Sequence, residues 1–338
     1  MNPVHRASSR PAFTLIEVLV VISVIGLLVG LLIPAVISSR EASRRADCMS
    51  RLKQIGAALA AHESTHGAFP SAFVARGIDK DGGPKPTGAP PSPHYQILPY
   101  LEQAALFNSV NTRAGSDLDS VARHPANQTA FGTALGVFLC PSSVETLRSG
   151  NSYRGCVGAL PYEFDDPGRG GGGAFTGFRG LAPRDFEDGL SRTAGFSERT
   201  MGSGPKARPA RDRDIWYSGL SNLVSRPSAD RVLSGCGAAA AAPPEAWTRA
   251  GESWLQGGYP DTLYNHIAPP NWSGMDCSLG SVVADPGSIS GGAFSARSGH
   301  RGGVNVLLMD GSVQAISSTI DLKVWRALGT RSGHETVQ

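Results

Sequence analysis

The sequence predicts an α+β fold: a long N-terminal helix that enters a membrane, packed on a head of antiparallel β-sheet with long loop insertions. Three observations lead there. Residues 13–33, FTLIEVLVVISVIGLLVGLLI, form the only long apolar block among the 338 residues. Helical spacing of apolar residues continues past that block to about residue 62. Across the whole chain, 42 Gly and 24 Pro beside 41% hydrophobic residues describe turns and short strands around a core, and they exclude an all-helical bundle. The charge balance of 31 Lys+Arg against 28 Asp+Glu, with no long run of one sign, provides no basic face for phosphate neutralisation and argues against nucleic acid as a partner.

At ~1.5 Å rise per residue the block 13–33 reaches roughly 30 Å, the thickness of a bilayer's hydrocarbon core, so it spans a membrane once. Arg6 and Arg10 precede it with no acidic residue between. By the positive-inside rule the N-terminus stays in the cytoplasm, and the head lies in the periplasm or at the cell surface. Glu17 is the anomaly. A carboxylate in an apolar helix costs up to ~3 kcal/mol of insertion, which neither a cleaved secretory signal nor a plain anchor recovers. A subunit packed beside a copy of itself does recover it. Gly26 and Gly30 form a small-xxx-small pair that permits close helix approach. Pro34 interrupts the hydrogen-bond ladder, and a kink is expected there. Farther on, Cys48, Leu52, Ile55 and Leu59 recur on one face, preceded on that face by Glu41, Arg44 and Arg45. The first half of this stretch therefore reads as a solvated or subunit-facing stalk, and the second half as packed on the head.

The head begins at residue 64, and 77–93 is a loop by composition. Residues 95–110 read as a short amphipathic helix and 136–143 as a strand ending at Cys140. Most of 169–286 reads as short strands with decorating loops. The run Gly170 to Gly173 lacks the Gly-Lys-Ser/Thr ending of a phosphate loop. Near the C-terminus, an apolar run at 304–309, the pair Asp310-Gly311 and a returning run at 312–317 make a β-hairpin. His300 and Asp310 could form a hydrolytic pair, but no nucleophile elbow accompanies them, and a histidine that orders the hairpin is the simpler account. C-x-x-C does not occur, and a zinc site is not expected. Asp185, Asp188 and Glu198 are candidate calcium ligands, although turn chemistry at Asp188-Gly189 is the simpler account of them. No other cofactor is implied. Trp216, Trp247, Trp254, Tyr259 and Trp272 could build a sugar-stacking surface, with core packing as the default.

Ala12, Phe13, Thr14, Leu15, Ile16 and Glu17 stand just before an uninterrupted apolar run. This order resembles the prepilin processing motif, a small residue followed by Phe-Thr-Leu-Ile-Glu, with Ala12 where that family usually has Gly. The resemblance implies cleavage between Ala12 and Phe13 by a prepilin peptidase, methylation of the new Phe13 amine, and neutralisation of a neighbour's amine by Glu17. His300, nine residues, then Asp310 and Gly311 resembles the H-X9-DG signature of a planctomycete-type family with prepilin N-termini, carried as a domain of unknown function (DUF1559). Residues 48–72, 95–107, 138–143 and 184–199 resemble further segments of that family.

The implied architecture is pilin-like: a leader at 1–12, a transmembrane and stalk helix at 13–63, and a head at 64–338 with its signature hairpin region at 293–328. The implied role is a structural, non-enzymatic subunit of a type IV pilus or type II secretion pseudopilus, processed by prepilin peptidase and packed in the cytoplasmic membrane against other pilin-like subunits. The alternative is a membrane-tethered binder of carbohydrate or another extracellular ligand that never polymerises.

Cys48, Cys140, Cys156, Cys236 and Cys277 all follow the membrane segment, where disulfides are permitted and one cysteine is left over. The resembling family carries cysteines at the places of Cys48 and Cys140, which favours that pair. Cys236 then pairs with Cys277 and Cys156 stays free. The competing arrangement leaves Cys48 as a small core residue and pairs Cys140 with Cys156.

Overall fold

Pro34 is the only proline among residues 15–66, and these residues fold as one helix, α1 (Leu15–His66), that runs through it. The computed structural model describes residues 14–73, 91–114, 122–143, 147, 149–161, 172–177, 179–218, 227–239, 246–279 and 291–333. Ala12 and Phe13 lie outside the described residues. The chain divides into two compact units, Met1–Arg44 and Arg45–Gln338, so the second half of α1 belongs to the same unit as the residues that sequence assigns to the head from 64 onward.

In the first unit every Val, Leu and Ile between residues 15 and 37 is exposed, from 45% at Val29 to 83% at Leu15. The stretch is long and apolar enough to cross a membrane. In the second unit Cys48, Leu52, Ile55 and Leu59 are buried, joined on α1 by Gly56, Ala58 and His62. Gly56 permits the closest approach: an added Cβ would stand 2.8 Å from Leu307 Cδ1 and 3.3 Å from the Gly311 Cα.

Among the described residues, two sheets build the head. The first contains β1 (Tyr153–Cys156), β2 (Ala194–Glu198), β5 (Leu263–Tyr264), β8 (Gly303–Leu308) and β9 (Val313–Ser317) in the order β5-β1-β2-β8-β9. The second contains β3 (Ile215–Tyr217), β4 (Ala246–Trp247), β6 (Asp276–Ser278) and β7 (Gly292–Ala293) in the order β4-β3-β6-β7. Most pairings are antiparallel, as the fold class requires, but β1 with β5 and β3 with β6 run parallel. Parallel neighbours cannot be joined by a tight turn, and both pairs are far apart in sequence. β8, flanked by β2 and β9, is buried along its whole length. The expected hairpin is β8 to β9. Its turn is closed by the Gly311 N–H donating to Leu308 O and by Asp310 Oδ1 accepting from the Ser312 N–H, with Gly311 at φ +86°.

Two local expectations give way. Residues 95–110 are not one helix: α2 (Pro93–Gln96) and α3 (Ala104–Ser109) are separated by a 3-10 turn at Leu98–Leu101, and Glu102 takes a left-handed φ of +60°. The segment around Cys140 makes a 3-10 turn, Gly136–Phe138, and pairs with no strand among the described residues. In both segments tertiary packing overrides the local periodicity. Of the aromatic residues considered for sugar stacking, Trp216, Trp254 and Tyr259 are buried, and Trp247 and Trp272 are half-buried. Trp254 and Tyr259 are fully buried, Trp254 donates to Thr133 O, and Tyr259 stacks on Phe294 at 4.1 Å.

Candidate functional site

At the start of α1, Thr14 precedes the first helical turn and Glu17 closes it. The Thr14 N–H and Oγ1 both donate to Glu17 Oε2 at 2.8 Å, and Thr14 Oγ1 accepts from the Glu17 N–H at 3.3 Å. This reciprocal pair is a capping box, which satisfies helix-end donors that an apolar surrounding would leave unpaired. The spacing Thr-x-x-Glu inside FTLIE was its visible sequence signal. Both bonds from Thr14 end on Oε2.

The family-signature residues in the head are brought to different places. His300 precedes β8 and Asp310 follows it, so roughly 20 Å of strand separates them and no hydrolytic pair forms. Asp310 and Gly311 shape the hairpin turn. His300 instead meets Glu198 and Cys140: its Nε2 lies 3.4 Å from Glu198 Oε1 and 3.6 Å from Cys140 Sγ. Glu198 ends β2, and the register of β2 on β8 places it beside Asn305. The Asn305 N–H donates to Glu198 Oε2 at 3.0 Å and its Nδ2 to Oε1 at 2.8 Å. Cys140 is joined to Cys48 of α1, with Cα atoms 5.2 Å apart. Helix α1, the 136–140 turn, β2 and the entry to β8 thus converge on one buried point.

α4 (Ala229–Ala239) is tied to β6 by Cys236–Cys277, with Cα atoms 5.5 Å apart. Cys156 is a free, buried thiol, and burial pushes it up to about 12. A buried thiol with so little thiolate character is a poor nucleophile and a poor metal ligand at neutral pH. The candidate calcium ligands are not assembled. Asp185 Oδ2 accepts from the Ala182 N–H, Asp188 Oδ2 from the Gly333 N–H, and Glu198 is held by Asn305. The aspartates are turn and loop ties, as Asp188-Gly189 chemistry allowed.

Sequence reasoning missed a buried ion cluster. Asp276 on β6 accepts from Arg199 Nη2 at 2.5 Å, Arg297 Nη2 at 3.0 Å and Ser295 Oγ at 2.6 Å. Burial pushes the Asp276 carboxyl up, but Arg297 and Arg199 outweigh it and hold the group below the usual carboxylate range. Arg199 directly follows β2, so this carboxylate links the two sheets. Three charged residues far apart in sequence, each of a type that is usually exposed, gave no local signal of pairing.

Two family models match the chain. The prokaryotic N-terminal methylation motif covers residues 8–33, and the model described as a protein of unknown function (DUF1559) covers residues 38–323. No curated protein and no solved structure matches it. The second match takes in α1 from its middle onward, both sheets, and the Cys48, Cys140, Glu198 and His300 cluster. The chain therefore belongs to the DUF1559 family, as a pilin-like α+β protein with a prepilin-type methylation motif at its N-terminus.

Proposed function

We propose that the protein is a structural subunit of a cell-envelope assembly of the type IV pilus or type II secretion class. A prepilin peptidase cuts it between Ala12 and Phe13 and methylates the new amine. It then packs through its N-terminal helix against other pilin-like subunits. The leader is 1–12, the membrane and stalk helix 13–63 and the head 64–338, with the N-terminus cytoplasmic and the head outside the cytoplasmic membrane. The observation that carries this reading is the exposed apolar surface of α1 between residues 15 and 37, interrupted by one carboxylate, Glu17. Such a surface needs lipid or another helix around it, and a carboxylate there needs a cation. The amine of a neighbouring Phe13 is that cation, and Glu17, preset by Thr14, is positioned to accept it.

Glu17→Ala tests the assembly role, because it makes the span more apolar while removing the acceptor. Membrane fractionation should be unchanged and crosslinked oligomers should fall at least tenfold. Wild-type amounts of crosslinked oligomer would contradict the proposal.

One observation favours the tethered-binder reading. An open groove of about 720 Å³ in the head is lined by His62, His66, Phe69, Tyr95, Tyr100 and Phe107, with His62 stacked on His66 and Tyr95 on Phe107. Aromatic faces of this kind suit a sugar or another flat ring. A native protein that retains its leader and remains monomeric in the membrane would place this reading first.

A further inference from the structure

Cys48, Cys140, Glu198 and His300 each offer one ligand atom, and these atoms lie within 4.8 Å of one another in the buried interior of the head. We propose that this cluster is a redox-gated site for a zinc-type divalent cation. The Cys48–Cys140 disulfide is its closed, metal-free state. The reduced pair, with His300 and Glu198, is its binding state.

The donor set is two thiolates, one imidazole and one carboxylate, which suits zinc and does not suit the all-oxygen preference of calcium or magnesium. Tetrahedral bonds of about 2.0–2.3 Å put ligand atoms roughly 3.3–3.8 Å apart. His300 Nε2 to Glu198 Oε1 is 3.4 Å, His300 Nε2 to Cys140 Sγ is 3.6 Å, and Cys140 Sγ to Glu198 Oε1 is 3.9 Å. Three edges of the tetrahedron, those among His300, Glu198 and Cys140, are thus present with the disulfide closed, and Cys48 Sγ lies within 4.8 Å of the same atoms. A supporting layer is in place as well. Asn305 grips both oxygens of Glu198 and in turn accepts from Arg45 Nε at 3.3 Å, while the His300 N–H donates to Ser298 Oγ at 3.1 Å. Ligands held by such second partners need little reorganisation to bind. A small cavity of about 10 Å³, lined in part by Cys140, Glu198, Arg199 and Arg297, adjoins the cluster and is about the size of one water.

The chemistry balances with a dithiol as reductant. It delivers two electrons and two protons, the S–S bond breaks to two thiols, and the dithiol leaves as its own disulfide. The cation then displaces the two thiol protons and forms two metal–sulfur bonds. Two-electron oxidation by a disulfide-class oxidant reforms the S–S bond and expels the cation. Cys156 takes no part, and Cys236 with Cys277 lies apart from any comparable group of donors among the described residues.

The test uses the full chain in detergent, oxidised or reduced with a dithiol that is then removed, with Zn²⁺ or Co²⁺ as the probe. Reduced wild type should bind one equivalent and, with cobalt, show thiolate charge-transfer and tetrahedral ligand-field bands. The oxidised protein should show neither. His300→Gln and Glu198→Gln should each weaken binding at least about tenfold. A measurement without mutation guards against misfolded variants: Zn²⁺ should raise the Tm of the reduced wild type and slow reformation of Cys48–Cys140 in non-reducing peptide maps. The proposal is overturned by reduced protein that binds no more metal than Cys48→Ser, by binding that follows Cys236 and Cys277 instead, or by an unchanged Tm with zinc present.

Discussion

Leu27 and Leu52 lie on the same helix, yet Leu27 is 68% exposed and Leu52 is fully buried. The first unit leaves its apolar side chains for a solvent or partner outside the chain. The second encloses its own, and it adds two disulfides and a buried ion cluster. Sequence hydrophobicity therefore has opposite meanings in the two units. A continuous apolar run with no polar face signals an external environment, whereas an apolar stripe every three or four residues signals internal packing. The head encloses a core of its own, and the first unit presents an apolar helix long enough to cross a membrane.

Substitutions should separate the units accordingly. The largest loss is expected from Cys48→Ser, since Cys48–Cys140 closes a sequence separation of 92 residues. Under oxidising conditions with chelator present, thermal or denaturant unfolding should show ~4–5 kcal/mol less stability. Under reducing conditions the difference should nearly vanish, and a loss of equal size in both would assign the effect to packing. Next comes Asp276→Ala, which strands Arg199 and Arg297 in the interior and should cost about 3–5 kcal/mol. A cost under ~1 kcal/mol would mean that the ion cluster does not hold the two sheets together.

Mild acid should weaken the head as well. Burial pushes His94 and His266 down to about 3 from an ordinary 6.5. Above 6.5 both folded and unfolded chains hold these rings neutral. Between 6.5 and about 3 only the unfolded chain takes up the two protons, so stability falls as pH falls, by up to about 2.7 kcal/mol per pH unit. His94→Gln and His266→Gln should each flatten part of that slope, and an unchanged slope in both would contradict the assignment. The smallest effect is expected in the first unit. Leu27→Asn should leave head unfolding within about 0.5 kcal/mol of wild type while reducing the membrane-bound fraction. A large loss of head stability would erase the contrast between the units.

What could be read in advance followed this same division. The stripe of Cys48, Leu52, Ile55 and Leu59 and the hairpin around Asp310-Gly311 were legible because helix period and turn chemistry are local. The sheet order was not, since strands of two to six residues pair across long separations, as β2 does with β8. Glu198 entered as a calcium candidate through its neighbours in sequence. Its actual neighbours are His300 and Asn305, more than a hundred residues away. The partner of Glu17 within its own helix turn was legible as Thr-x-x-Glu, but the prepilin resemblance directed attention to a neighbouring subunit instead.

In the proposed assembly, processing at residue 12 precedes packing through the first unit. Intact mass and N-terminal sequencing of the protein purified from native envelopes, with and without the prepilin peptidase, test it most directly. The account predicts a chain beginning at an N-methylated Phe13 when the peptidase is present and at Met1 when it is absent. A chain beginning at Met1 in both would contradict it.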